Sequence, residues 1–109
     1  MQVRCVRVRL RAGTADRVRG AVAGWSLRRD EALESLRDEG LVRESVFLEH
    51  TGEGDYLLLV QTGRDLNLAA ERFATSALPL AAEKRRLLTE VTEHAIAIEL
   101  LAHHDLAED

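Results

Sequence analysis

Residues 41–62, LVRESVFLEHTGEGDYLLLVQT, hold a strand, a turn and a second strand in one run. Residues 41–50 read as the first strand. Residues 51–55 (Thr-Gly-Glu-Gly-Asp) carry two glycines, which supply the positive φ that tight hairpins need. Residues 56–62 (YLLLVQT) are apolar without alternation, so both faces of that strand should be covered. A hairpin therefore stands mid-chain, and its flanks decide the fold.

Upstream, residues 3–10 alternate cleanly, with Val6, Val8 and Leu10 on one face and Val3, Cys5, Arg7 and Arg9 on the other. Ala12-Gly13 ends this strand, and Thr14 is placed as an N-cap with Asp16 in the first turn. From Ala15 to Glu39 there is no proline, and Val18, Val22, Trp25, Leu33 and Leu36 fall at helical spacing. Gly40 follows where a C-terminal cap wants a left-handed residue. Arg29 lands on the apolar stripe between Trp25 and Leu33. Either the helix bends near residues 28–30, or Arg29 lays its stem along the stripe and shows its head at an edge.

Downstream, Gly63-Arg64-Asp65 closes the third strand, with Asp65 as N-cap of a helix over 66–75. Residues 76–79 interrupt it, and residues 80–91 are helical again. Residues 95–102 (AIAIELLA) alternate through Ile96, Ile98 and Leu100 and read as a fourth strand, although Ala, Glu and Leu also suit a helix. Residues 103–109 form a polar tail expected to fray. The order βαββαβ is that of a ferredoxin-like α+β domain spanning 1–109, a four-stranded antiparallel sheet with both helical segments on one face. Strand three is expected between strands one and four. The helix-free face is not polar, since the third strand is apolar on both sides and Cys5, Phe47 and Leu101 join it. Its simplest cover is a second copy of the chain, sheet against sheet, in a homodimer.

Composition agrees with one globular domain: 109 residues, 46% hydrophobic and 31% charged. A single cysteine forms no internal disulfide, so a reducing cytoplasm is the expected compartment. No apolar run approaches the roughly 18 residues of a membrane span, and the first residues lack a signal-peptide core. A net charge of −4 argues against general nucleic-acid binding, and Arg4, Arg7, Arg9 and Arg11 have no interleaved aromatic on which bases could stack. Of 15 basic residues only Lys84 is a lysine, a usage that carries no mechanism by itself.

Metal ligation is not expected. His103 and His104 are adjacent, and no His-x-His, His-x-x-x-His or Glu-x-x-His spacing occurs. Cys5, mid-strand among apolar residues, reads as a structural thiol. No nucleophile elbow, P-loop or dinucleotide fingerprint is present. Two polar sets remain. The first is a row of Arg7, Arg9, Tyr56, Glu99 and His103 across the helix-free face, able to orient an anionic or carbonyl ligand. Ion pairing across a subunit interface explains the same row, and is the stronger reading. The second set is Arg29 with Glu44, and Asp55-Tyr56 at the hairpin exit. Its plainer readings are a snorkelling arginine, a turn residue and a packed ring.

The run RRDEALESLRDEGLVRESVFLEHTGEGDYLLL (28–59), with VRCVRVRLRAGTADRVR (3–19), resembles a family of small bacterial proteins of unknown function. The match covers residues 3–75 and is specific in its combination of pieces. That family resembles the dimeric α/β-barrel superfamily, which includes cofactor-free monooxygenases, small isomerases and cyclases, and haem-using enzymes. The resemblance implies a ferredoxin-like fold and a dimer, and assigns no chemistry. One departure stands out. Relatives carry a polar stretch with aspartate and histidine after the proline near position 79, where this chain has Leu80-Ala81-Ala82-Glu83-Lys84-Arg85.

Two functions follow as expectations. One is a small-molecule enzyme of the dimeric α/β-barrel type, without a bound cofactor. It would oxygenate, isomerise or cyclise an anionic or carbonyl-bearing metabolite in a pocket between helices and sheet. His50 and Tyr56 would be its catalytic groups, His50 because its ordinary pKa lies near neutrality. Arg29, Glu44, Arg7, Glu99 and His103 would bind the ligand. The other function is a non-catalytic ligand-binding or protein-interaction module. A pocket of several hundred Å³ with at least two convergent polar side chains favours the enzyme. Arg29→Leu is expected to spare the fold and abolish binding or turnover.

Overall fold

The computed structural model of the chain describes residues 1–108. Its elements are β1 (Gln2–Leu10), α1 (Ala15–Leu27), α2 (Arg29–Glu39), β2 (Leu41–Thr51), β3 (Gly54–Gly63), α3 (Leu66–Thr75), α4 (Pro79–Val91) and β4 (Thr92–Ile98). The strands form one antiparallel sheet in the order β2-β3-β1-β4. This is the ferredoxin-like arrangement, each of its two helical segments split into a pair. β1 therefore lies between β3 and β4, which corrects the expectation that strand three separates strands one and four.

Each break has a local cause. Arg28 adopts φ −95° and ψ 58°, which interrupts the helical run and starts α2 in a new phase. Its guanidinium forks to Glu31 of α2 and Glu83 of α4, at 2.7 Å each, and pins the break to the helix behind it. Both carboxylates raise the Arg28 pKa further above its ordinary value, and Glu31 is lowered in return. Gly40 caps α2 in the left-handed region at φ 82°. Its carbonyl packs so closely on Gly63 that a Cβ there would lie 2.9 Å away. Asp65 accepts from the Leu68 amide at 3.0 Å and caps α3 as expected. Thr14 does not cap α1; its hydroxyl donates to the Arg11 carbonyl at 2.7 Å. Pro79 opens α4, where a missing N–H costs nothing.

All helices cover one sheet face. The main core joins Val8 and Leu10 of β1, Leu57 of β3, Val18 of α1, and Leu87 and Val91 of α4. A smaller cluster joins Leu41, Leu66 and Ala69, with Leu36 packed against it. The opposite face is bare. Registers put Arg7, Leu58, Phe47 and Ile96 in one row across it, and Cys5, Val60, Ser45 and Ile98 in the next. Phe47 is 55% exposed and Ile96 59%. Ile96 and Ile98 thus face away from the helices, and the β4 residues turned toward them are Ala95 and Ala97. β4 also ends at Ile98, so Glu99 and Leu100 lie beyond the sheet.

Candidate functional site

The two core clusters do not meet, and a cavity of about 220 Å³ lies between the helix layer and the sheet. Its apolar walls are Val18, Val22 and Trp25 of α1, Leu36 of α2, Leu57 and Leu59 of β3, and Leu87 and Leu88 of α4. Besides Ser26, whose Oγ donates to the Val22 carbonyl at 2.9 Å, four polar side chains line it: Glu39, Glu44, Gln61 and Lys84.

Three of these belong to one chain of contacts. Arg4, Gln61 and Glu44 pair laterally across β1, β3 and β2 on the helix-covered face. Arg4 Nη2 donates to Gln61 Oε1 at 3.0 Å, and Gln61 Nε2 donates to Glu44 Oε2 at 2.7 Å. Because Arg4 occupies the amide oxygen, the amide nitrogen must face Glu44. The other oxygen of Glu44 lies 3.7 Å from Lys84 Nζ. Both side chains of that pair are mostly withdrawn from solvent, so their attraction is screened less than at a surface. Lys84 Nζ also stands 5.7 Å from the centre of the Trp25 ring, within cation–π range.

Glu39 is the fourth group, only 7% exposed, on the last turn of α2. Ser35 Oγ donates to its Oε2 at 2.9 Å. Burial pushes its pKa above the ordinary carboxylate value. The Ser35 hydrogen bond and Lys84 oppose that rise, while Glu44 and Asp38 add to it. The helix C-terminus, with its unpaired carbonyls, also disfavours a negative charge there. The result is an apolar cavity with a titratable acid and a paired ammonium at one end. Such a set can move a proton and stabilise charge developing on an oxygen.

Of the residues singled out in the sequence, Glu44 lines this cavity, as do the wall residues Val18, Val22, Trp25 and Leu36. Arg29 does not. It is exposed at the start of α2, without a hydrogen bond or ion pair among the described residues, and it is not the partner of Glu44. His50 is 57% exposed at the hairpin end, between Asp55 Oδ1 (2.7 Å from Nδ1) and Arg19 Nη2 (3.1 Å from Nε2). Tyr56 is buried on the opposite sheet face. Arg7 stacks over its ring at 3.6 Å and Arg9 donates to its hydroxyl at 3.0 Å. Glu49 ties down Arg7 at 2.8 Å and raises its pKa. The row Arg7, Arg9 and Tyr56 therefore exists, but Glu99 and His103 do not join it.

His103 instead lies in the tail, 3.5 Å from Glu108. With Asp105 they bring their ligand atoms within 4.8 Å of one another, at an i, i+2, i+5 spacing the sequence search did not include. Glu108 is already bonded to the Met1 ammonium, and His103 and Glu108 are exposed.

Glu39 and Lys84 are the residues sequence reasoning missed, and each had a signal. Lys84 is the one charged position on the stripe Leu80, Ala81, Leu87, Leu88 and Val91 of α4. Counting α2 afresh from Arg28 puts Ala32, Ser35, Leu36 and Glu39 on its inner face.

Among known families, a Family of unknown function (DUF6176) matches residues 1–109. No curated protein matches. Solved structures with the same fold include protein Atu4242 from Agrobacterium tumefaciens, at TM-score 0.60 and 22% identity over 90% of this chain and 89% of that one. A candidate antibiotic biosynthesis monooxygenase from Nitrosomonas europaea follows at TM-score 0.58 and 14% identity, covering 94% and 100%. L-rhamnose mutarotase FA22100 from Formosa agariphila is similar at TM-score 0.58 and 14% identity, covering 96% and 100%. These likenesses establish the ferredoxin-like fold. Among the described residues no helix is long and apolar enough to cross a membrane.

Proposed function

We propose that this chain, which belongs to the family of unknown function DUF6176, is a small-molecule enzyme that moves a proton on a metabolite held between helices and sheet. The observation that carries the reading is the grouping of Glu39 with the Lys84–Glu44 pair at one end of an otherwise apolar cavity. A carboxylate whose pKa is raised toward neutrality is a competent general base near neutral pH. Of oxygenation, isomerisation and cyclisation, isomerisation is the one these groups serve most directly. Glu39 takes a proton from the carbon next to a carbonyl, and Lys84 donates a hydrogen bond to the resulting enolate oxygen. In a β,γ-unsaturated substrate Glu39 returns the proton to the γ-carbon, which moves the double bond into conjugation. Glu44 keeps Lys84 charged and oriented.

A homodimer through the bare sheet face belongs to the same proposal, supported by exposed Phe47, Ile96 and Ile98 and by the superfamily. A cytoplasmic location rests on the single free thiol, Cys5. One observation favours the alternative of a non-catalytic binding module: neither His50 nor Tyr56 lines the cavity. Solvent-deuterium exchange separates the two. With small cyclic ketones in D₂O, the enzyme should speed exchange of the protons beside the carbonyl. Glu39→Gln should lower that rate by roughly 10²-fold or more while leaving ketone binding in place. Binding without exchange in the wild-type protein would establish the module instead.

A further inference from the structure

Every charge in the cavity is already answered. The Lys84 ammonium faces Glu44 at 3.7 Å, and the remaining Glu44 oxygen accepts from Gln61 at 2.7 Å. Gln61 is in turn held by Arg4 Nη2 at 3.0 Å; the Arg4 Nε–H is buried without a partner, but Arg4 stands behind Gln61 and does not line the cavity. Glu39 accepts from Ser35 Oγ at 2.9 Å, and burial and Glu44 raise its pKa. The rest of the lining offers hydrocarbon, one indole ring and the Ser26 hydroxyl, which already donates to the Val22 carbonyl at 2.9 Å.

From this closed set we infer that the cavity is selective for an uncharged ligand with an apolar body and a single carbonyl or hydroxyl oxygen directed at Lys84. The inference rests on the cavity being the ligand site, and it narrows the anionic or carbonyl-bearing class suggested by the sequence to the uncharged one. An entering carboxylate would be desolvated, would meet Glu39 and Glu44, and would have to take Lys84 from its partner. An entering amine would meet the Lys84 ammonium and find Glu44 occupied, leaving only Glu39, whose burial disfavours the charge that would pair with it. A ketone or alcohol oxygen asks for no counter-charge. Lys84 carries three donors, so it can bond that oxygen without releasing Glu44.

Trp25 is the only tryptophan and lines the cavity, so its emission reports on occupancy. Three probes of one ring size test the inference at neutral pH: cyclohexanone, cyclohexanecarboxylate and cyclohexylamine. Cyclohexanone should shift Trp25 emission saturably, with millimolar affinity as befits so few atoms. The two charged probes should bind at least about tenfold more weakly, a difference of roughly 1.4 kcal/mol. In Glu44→Gln, checked for native circular dichroism, Lys84 is freed of its partner and the carboxylate should gain on the ketone. In Lys84→Gln the ketone should weaken and the carboxylate should not recover. A carboxylate or amine that binds wild-type protein as well as the ketone overturns the inference and leaves the cavity as the site. Silence of Trp25 toward all three probes overturns the inference and the cavity reading together.

Discussion

At the scale of single residues, Glu39 sets a pH dependence whose sign follows from its surroundings. Its pKa in the folded protein lies above the ordinary value it regains on unfolding. Between those two values the folded state binds more protons than the unfolded one, so stability falls as pH rises through that window. Below the ordinary glutamate value, both states are protonated and the slope vanishes. Glu39→Gln keeps shape and hydrogen bonding but cannot ionise. Denaturant unfolding from pH 4 to 8 should show wild-type stability dropping toward the neutral end relative to the variant, whose curve is flatter; parallel curves would remove Glu39 as the cause. Gly63 gives a second, purely steric case. A Cβ there would meet the Gly40 carbonyl at 2.9 Å, and that carbonyl is backbone in a tight cap. Gly63→Ala should cost about 1–3 kcal/mol in denaturant melts, in the range of overpacking elsewhere.

At the scale of elements, the helical phase after Arg28 decides which side chains reach the cavity. Read as one helix, residues 15–39 carry Arg29 onto the stripe of Trp25 and Leu36. The break at Arg28 leaves Arg29 exposed in the first turn of α2, while Leu36 and Glu39, one turn apart, share its inner face. Arg29→Leu should therefore leave stability within about 0.5 kcal/mol and leave cyclohexanone binding, read from Trp25 emission, unchanged. A loss of binding would return Arg29 to the site. The same logic shows what the sequence could and could not reveal. The hairpin, the Asp65 cap, the Gly40 cap and the α1 wall were legible because each is fixed by local chemistry. Glu44 was singled out as a partner for Arg29; it reaches the cavity instead because it shares the helix-covered face of β2 with Val46 and Leu48. Glu39 and Lys84 each interrupt an apolar stripe, Glu39 three residues after Leu36 and Lys84 between Ala81 and Leu87, but only the packing of α2 and α4 onto the sheet shows that the two line one cavity. The facing of β4 was hidden for a different reason. Alternation identifies two sets of residues, but only packing tells which set the helices cover. At this sheet edge the covered set is alanine and the bulky set faces away, the reverse of the usual guess.

At the scale of the molecule, that reversal argues for a partner. Isoleucines on the exposed side of an edge strand have no helix to meet, and Phe47 across the sheet is in the same position. Between them run Leu58 and Val60, with Arg7 held flat by Glu49 and stacked on Tyr56. Such a surface is apolar at its centre, and its charges are already paired within one chain. It can therefore meet a copy of itself without burying an unpaired ion. Light scattering should give twice the chain mass for the wild-type protein at micromolar concentration. Phe47→Glu or Ile96→Glu would place like charges in a self-complementary contact, since a two-fold axis brings the same patch from both chains together. Each also loses about 1.5–3 kcal/mol of apolar burial per copy. Either substitution should yield a monomer that keeps native circular dichroism, because neither side chain touches the helix-covered core. Ketone binding at Trp25 should survive in that monomer, since the cavity lies between the helices and the sheet, on the side away from Phe47 and Ile96. A dimer that persists in both variants would move the interface to another face.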